Sequence, residues 1–208
     1  MEIHLEGIGK KFRKEWIFRN VNLDFLPSKR YGIVGYNGSG KSTLLQIIAG
    51  ISLPSEGKIH FLSQNAVLPT ENILERLSFS APYQELIEEL TAKEMFDFHF
   101  KFRKLSFPIS SSDFFEEIGL KGNENKQVKY FSSGMKQRMR LALCVYTEAE
   151  VYMLDEPTTN LDRVGVQWYK DILTKKLLDK TLIISSNIEE EYAVCENIFN
   201  IDDYKPNF

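Results

Sequence analysis

Cysteine is nearly absent: Cys144 and Cys195 are the only two in 208 residues. Both sit among apolar neighbours, LALCVY and YAVCEN, so two buried, reduced thiols are expected. No Cys/His spacing suits a zinc site. No apolar run approaches the ~20 residues that span a bilayer. The opening MEIHLEGIGKKF has no apolar signal-peptide core. The chain is therefore expected in the cytoplasm, held at a membrane only through another protein. There is no basic excess either. The formal net charge of -3 argues against a general nucleic-acid binder. There are no internal repeats, and Ser110 to Ser112 is too short a run to count as low complexity. Only DDYKPNF follows the last apolar run, so no C-terminal regulatory domain is expected.

What remains is the pattern of a globular α/β chain. YGIV, VYML, TLIIS and IFNI are compact apolar runs suited to strands buried on both faces. Helical runs such as KSTLLQIIAG separate them and point to a parallel sheet. Gly50 is the expected stop of that helix. The first thirty residues differ: IHLEGIGKKF and WIFRNVNLDF alternate apolar and polar side chains, as antiparallel strands with one wet face do. GKIHFLSQNAVLP reads as a further hairpin. From Glu85, ELIEELTAKEMFDFHFKFRKL places Leu86, Leu90, Met95, Phe98, Phe102 and Leu105 roughly at helical spacing. Pro108 breaks the run, and Asp113 is the expected cap of the next short helix. The organisation predicted is one domain over 1–208. Residues 1–84 and 131–208 form the core with its antiparallel subdomain, and 85–130 form a helical insertion.

Two motifs carry chemistry. GYNGSGKST, residues 35–43, fits G-x-x-x-x-G-K-[ST] between a strand and a helix. The glycines Gly35, Gly38 and Gly40 let the backbone curl so that N–H groups of the loop, through Tyr36, Asn37 and Ser39, face phosphate oxygens. The helix N-terminus at Lys41, Ser42 and Thr43 adds partial positive charge. Lys41 reaches the outer phosphates and the Ser42 hydroxyl binds Mg2+. VYMLDEPTTNLD is an apolar strand ending in two carboxylates. Asp155 suits the Mg2+ position opposite the loop hydroxyl, and Glu156 suits the base that activates water. Without the phosphate loop the pair would read as an ordinary helix cap.

FSSGMKQR, residues 131–138, precedes a helical run and then the acidic strand. With that order of motifs the chain resembles the ATPase subunit of an ATP-binding cassette (ABC) transporter, over nearly its whole length. Phe131, Ser132, Ser133, Gly134 and Met135 stand where the family signature is usually LSGGQ. The resemblance implies the P-loop fold with an antiparallel β-subdomain and an inserted helical subdomain, MgATP hydrolysis, and a head-to-tail dimer with a second cassette. Ser132, Ser133 and Gly134 would contact the γ-phosphate of ATP held by the other copy, with Asn160, Leu161 and Asp162 at the seam. Phe12 falls where the family stacks an aromatic on adenine, with strand packing as its alternative. A membrane permease is the implied partner, and nucleic acid is not.

The sequence departs from the family in three places. The Gln that touches Mg2+ and water in the family falls on Pro82, with Gln84 nearby as a substitute. Ser133 replaces a glycine. In LIISSNIEEE, Asn187 stands where the family has a catalytic His. Asn donates an N–H but cannot become cationic; the alternative is an indifferent loop residue. Normal ATP binding with slow hydrolysis is expected, against a second reading as an ATP-gated subunit that hydrolyses little. A third reading, a cassette ATPase acting on DNA or ribosomes, lacks the long insertion or second cassette it would need. FDFHFKFRKLSF interleaves rings and cations as a single-strand nucleic-acid platform does; its alternatives are a subdomain core with a wet basic edge, or an aromatic rim for a protein partner.

Overall fold

A computed structural model describes residues 1–64, 66–69 and 72–205. The chain divides into two compact units: Met1–Phe79, Glu150–Glu156 and Asp179 onward make the first, and Ser80–Ala149 with Pro157–Leu178 the second. The second thus holds the 85–130 zone together with the signature helix and the helix after the acidic strand.

The first unit contains both sheets. β1 (Glu2–Phe12) and β2 (Glu15–Phe25) form a long antiparallel hairpin. β1 also pairs with β4 (Glu56–Ser63), and β4 with the short β5 (Ala66–Val67), in the order β2-β1-β4-β5. His4 and His60 face each other across the β1–β4 ladder inside this sheet. The second sheet has the order β6 (Leu77–Ser80), β7 (Val151–Asp155), β8 (Thr181–Ser185), β3 (Arg30–Val34), β9 (Asn197–Asn200), with β7–β8, β8–β3 and β3–β9 all parallel. β7 and β8 are buried throughout, as their unbroken apolar runs require. β9 does not follow that rule: it alternates half-buried with exposed residues, because it is an edge strand. A core of Ile3, Ile8, Phe18, Phe25, Ile33, Leu44, Leu45, Ile48, Met153 and Ile183, all essentially inaccessible, packs the two sheets against α1 (Lys41–Ile48), and a single turn, α2 (Ile73–Arg76), leads into β6. Gly50 ends α1 as expected. It is left-handed at φ 73, its N–H bonds Ile47 O, and the Ile51 N–H bonds Gln46 O, which together form a Schellman motif.

The second unit is helical. Its first helix, α3 (Ala92–Phe102), starts seven residues later than the expected start at Glu85. The cause is local. Thr91 Oγ1 accepts from the Glu94 N–H at 3.2 Å, and the Glu94 carboxylate accepts from the Thr91 N–H at 2.8 Å, closing a capping box. The carbonyls of Leu90 and Glu88 instead accept the Val128 and Lys129 N–H groups, and that of Glu89 accepts from Gln127 Nε2. Replacing Thr91 by Ala should cost about 1 kcal/mol, read as a lowered unfolding midpoint of the intact chain. The cap of α4 (Ser111–Glu117) is Ser110, not Asp113. Ser110 Oγ accepts the Asp113 N–H at 3.1 Å and donates to its carboxylate at 2.7 Å, which places Asp113 three residues inside the cap. α5 (Ser133–Tyr146) and α6 (Arg163–Lys176) complete the unit. Phe96 packs on Phe114 at 4.7 Å and Phe100 at 4.8 Å, while Phe98 and Phe102 pair on the outside at 44% and 70% exposure. The aromatic run is therefore core on one helix face and rim on the other.

Cys144 is buried and Cys195 only half-buried. They form no disulfide, and burial pushes the Cys195 thiol up to about 12. Among the described residues, no helix is long and apolar enough to cross a membrane.

Candidate active site

The phosphate loop leaves β3 and enters α1. Gly40 caps α1 in a left-handed conformation, φ 106, with no side-chain cap, so the N–H groups of the first turn stay available to an anion. A Cβ at Gly40 would lie 2.6 Å from Ile17 Cγ2, and one at Gly35 would lie 2.7 Å from Ile201 Cγ2. These two glycines are fixed by sterics as well as by φ. Lys41 is only 4% exposed, and its ammonium donates to Gly35 O at 3.0 Å and Tyr36 O at 3.1 Å. The loop is thus closed around its own cation. Residues 39 and 41 lie on a buried floor and Tyr36, Asn37 and Gly38 on an exposed rim. Asp202, which nothing in the sequence marks, accepts the Tyr36 N–H at 3.0 Å from a 3-10 turn over Ile201–Tyr204, and the Ser39 N–H bonds Tyr36 O at 3.0 Å, so these two N–H groups, expected to face phosphate, are turned to protein oxygens instead.

The end of β7 faces this loop. Burial pushes the Asp155 carboxyl above the usual carboxylate range; the hydroxyls of Ser42 and Ser185 draw it back, the Glu156 charge raises it further, and Lys41 lowers it. Oδ1 of Asp155 is buried and finds no hydrogen-bond partner of normal geometry. A buried, unpaired carboxylate oxygen beside the Ser42 hydroxyl is a pair of hard oxygen donors, and these fit Mg2+. Among the described residues no cluster of three or more His, Cys, Asp or Glu is placed to hold a metal. Mg2+ does not need one, since it keeps most of its ligands as water and substrate phosphate. Glu156, one residue beyond the strand, is left-handed at φ 41 and its N–H bonds Ser185 O at 2.8 Å. A non-glycine residue there holds ~1–3 kcal/mol of strain.

Asn187 lies just past β8. Its Nδ2 donates to Asn37 Oδ1 at 3.0 Å, which joins the strand tip to the loop rim. None of the histidines offers itself as a replacement cation here. His4 bonds Asp24 and Glu2, which raise its pKa, and His60 faces Glu6. His99 bonds Thr147 in the helical unit, and burial pushes it down to about 4, with the Arg103 charge adding to the fall. Phe12 ends β1 at 55% exposure with Lys10 Nζ 5.2 Å from its ring, so its face is not used for core packing.

In the second unit, Ser132 caps α5 and accepts the Met135 N–H at 3.2 Å. Ser132 and Ser133 are exposed. A Cβ on Gly134 would stand 2.9 Å from Asn160 O, so this glycine, unlike the one Ser133 replaces, is sterically required. Asp162 caps α6 through the Gly165 N–H at 2.7 Å and pairs with Arg138 at 3.2 Å; Gln137 Nε2 donates to Pro157 O at 2.8 Å. The signature helix and the 157–162 segment are thereby fastened together. Gln84 folds back on its own turn: its Oε1 accepts the Ala81 N–H at 3.0 Å, and its backbone carbonyl accepts from Arg140 at 2.6 Å. Pro82 is half-buried in that turn.

A phosphate loop, a carboxylate-bearing strand end and a parallel sheet define a P-loop nucleoside triphosphatase. Residues 18–159 match the family model described as ABC transporter. The Bacillus subtilis (strain 168) ABC transporter ATP-binding protein YybJ is 30% identical over 202 residues, 93% of this chain and 89% of that protein. The lantibiotic transport ATP-binding protein SrtF of Streptococcus pyogenes is 29% identical over 193 residues, 91% of this chain and 81% of its own. A third relative, YcbN of Bacillus subtilis (strain 168), is 28% identical, but the match spans only 61% of it. Among solved structures, the dimeric bacterial ABC transporter cassette MJ0796 superposes with a TM-score of 0.81 at 24% identity, covering 99% of this chain and 97% of that one. Its post-hydrolysis state bound to ADP and Pi gives 0.79 with the same coverage. The chain belongs to the ABC transporter family. It is a cassette ATPase whose nucleotide is ATP, taken with Mg2+.

Proposed function

We propose that the chain is the energising subunit of a membrane transporter, working as a head-to-tail dimer with a second cassette, its own copy or a similar chain. It is held at the inner face of the membrane by a permease. The observation that carries the reading is the buried, unpaired Asp155 Oδ1 beside Ser42, with Glu156 held at φ 41 one residue further on. Phe12 stacks on the base. The N–H groups of Gly38 and of residues 40–43, with the Lys41 ammonium, hold the phosphates. Lys41 exchanges its carbonyl partners for phosphate oxygens as nucleotide enters. Ser42 and Asp155 hold Mg2+, which when bound neutralises charge on the outer phosphoryl oxygens. Glu156 takes a proton from the attacking water. Asn187 donates an N–H toward the terminal phosphoryl group. Ser132, Ser133 and Gly134 of one copy close on the triphosphate held by the other. The paired, exposed rings of Phe98 and Phe102 suit an interface rim with a protein partner. SrtF is a lantibiotic transport protein by name, which supports transport as the coupled process.

Asn187 sets the rate in this reading. Losing a positioned donor outright costs ~10²–10³ in rate; Asn keeps a donor and lacks only the charge. Asn187→His should therefore raise steady-state turnover by less than ~10²-fold. It should also introduce a pH limb near the ordinary imidazole range of about 6.5, where the wild type has none from this residue. An Asn187→His rate at or below wild type, with no new limb, would remove Asn187 from the reaction. A second reading, an ATP-gated cassette that leaves hydrolysis to its partner, is favoured by Pro82 and by the Gln84 Oε1 already bonded to its own turn. Co-purification of the native complex with a membrane protein, and not with nucleic acid, is the expected partner result.

A further inference from the structure

Asn37 and Asn187 are 150 residues apart in the chain and in direct hydrogen bond. The backbone on either side of Asn187 is fixed independently of that bond. The Ser186 N–H bonds Ile33 O at 3.1 Å, and Ser186 Oγ accepts the Ile188 N–H at 2.8 Å. The Asn187 side chain is exposed, and these bonds leave the orientation of its amide open. The two ends of an amide are nearly equal in shape and opposite in hydrogen-bonding sense. Turned one way, Asn187 offers N–H to an anion at the loop rim; turned the other, it offers a carbonyl oxygen that repels it. The orientation therefore has to be set by a neighbour, and the neighbour in hydrogen bond with it is Asn37.

We infer that Asn37 is a positioning residue which, by accepting one N–H of Asn187 on Oδ1, turns the second N–H toward the terminal phosphoryl group, so that the two amides together distinguish a triphosphate from a diphosphate. The pair sits on the exposed rim, above the buried floor of residues 39 and 41. On this inference a diphosphate occupies the floor and only a triphosphate reaches the rim. The inference rests on the ATP site described above, not on hydrolysis at that site.

The test is a double-mutant cycle read by calorimetric titration with ADP and with the β,γ-imido analogue of ATP, which cannot be hydrolysed at that bond. The proteins are the intact wild type, Asn37→Ala, Asn187→Ala and the double variant. Each single change should weaken the analogue ~10-fold, as expected for a hydrogen bond to a charged group, and weaken ADP by less. The double variant should be no weaker than the worse single, because Asn37 acts through Asn187. Asn187→Asp, nearly isosteric but without a donor, should lose more than Asn187→Ala. Losses that multiply to ~100-fold in the double variant, an equal loss of ADP in Asn37→Ala, or wild-type analogue affinity in Asn187→Asp would each overturn the inference. A wild type that fails to turn over MgATP leaves every arm of the cycle readable, so failure of the hydrolytic reading shows separately.

Discussion

Glu156→Gln should lower phosphate release by ~10²–10⁴, the contribution of a positioned general base, while nucleotide stays bound. The amide is nearly isosteric, so the φ 41 backbone and the N–H bond to Ser185 O are retained. What is lost is the ability to take a proton. Because binding is intact and the reaction is blocked, MgATP should hold the variant as a dimer that wild type forms only in passing. Single-turnover phosphate release and size-exclusion chromatography in MgATP read both effects. A variant that turns over like wild type would place the base elsewhere.

Asp155→Asn should act in opposite directions on stability and on function. Burial raises the folded-state pKa of Asp155. A carboxyl with a raised folded pKa contributes stability that is present below its unfolded value, ~3.9, and lost as pH rises through the folded value. At neutral pH the ionised group is thus a net cost to the nucleotide-free protein, left for Mg2+ to relieve. Asn removes that charge. The variant should melt higher than wild type at pH 7 without ligand, and the gain should shrink toward zero as pH falls below ~4. Its Mg2+-dependent stabilisation by ATP should fall by at least ~10–100-fold in apparent affinity, the loss that even an outer-shell partner of a metal produces. Melting curves from about pH 3 to 8, with and without MgATP, test both signs. A variant less stable at pH 7, or one that keeps full MgATP stabilisation, would contradict the assignment.

The parts of the site legible in the sequence are those encoded locally. Gly35 and Gly40 are required by backbone shape within one turn, and Asp155–Glu156 ends an apolar run, so pattern and position suffice. Asn187 could be placed at a strand tip from IISS, but its partner could not: Asn37 is brought to it only by the parallel pairing of β3 with β8. Asp202 was invisible for the same reason, since DDYK reads as a polar tail until Tyr36 is seen bonded to it. The start of α3 was misread because Leu86 and Leu90 keep helical spacing, while the Thr91–Glu94 box overrides it. The aromatic run resolved by period: Phe96 and Phe100 share the core face, and Phe98 and Phe102, also four apart, share the outer one.

This chain is expected to hydrolyse MgATP by itself, with Asn187 and Pro82 at the positions where the resemblance implies His and Gln. Steady-state phosphate release by the purified wild type, with and without Mg2+, tests it most directly. Slow, saturable, Mg2+-dependent release is the expected result. Tight MgATP binding with no release above Glu156→Gln would contradict it, and would make the chain an ATP-gated subunit that depends on a partner cassette for turnover.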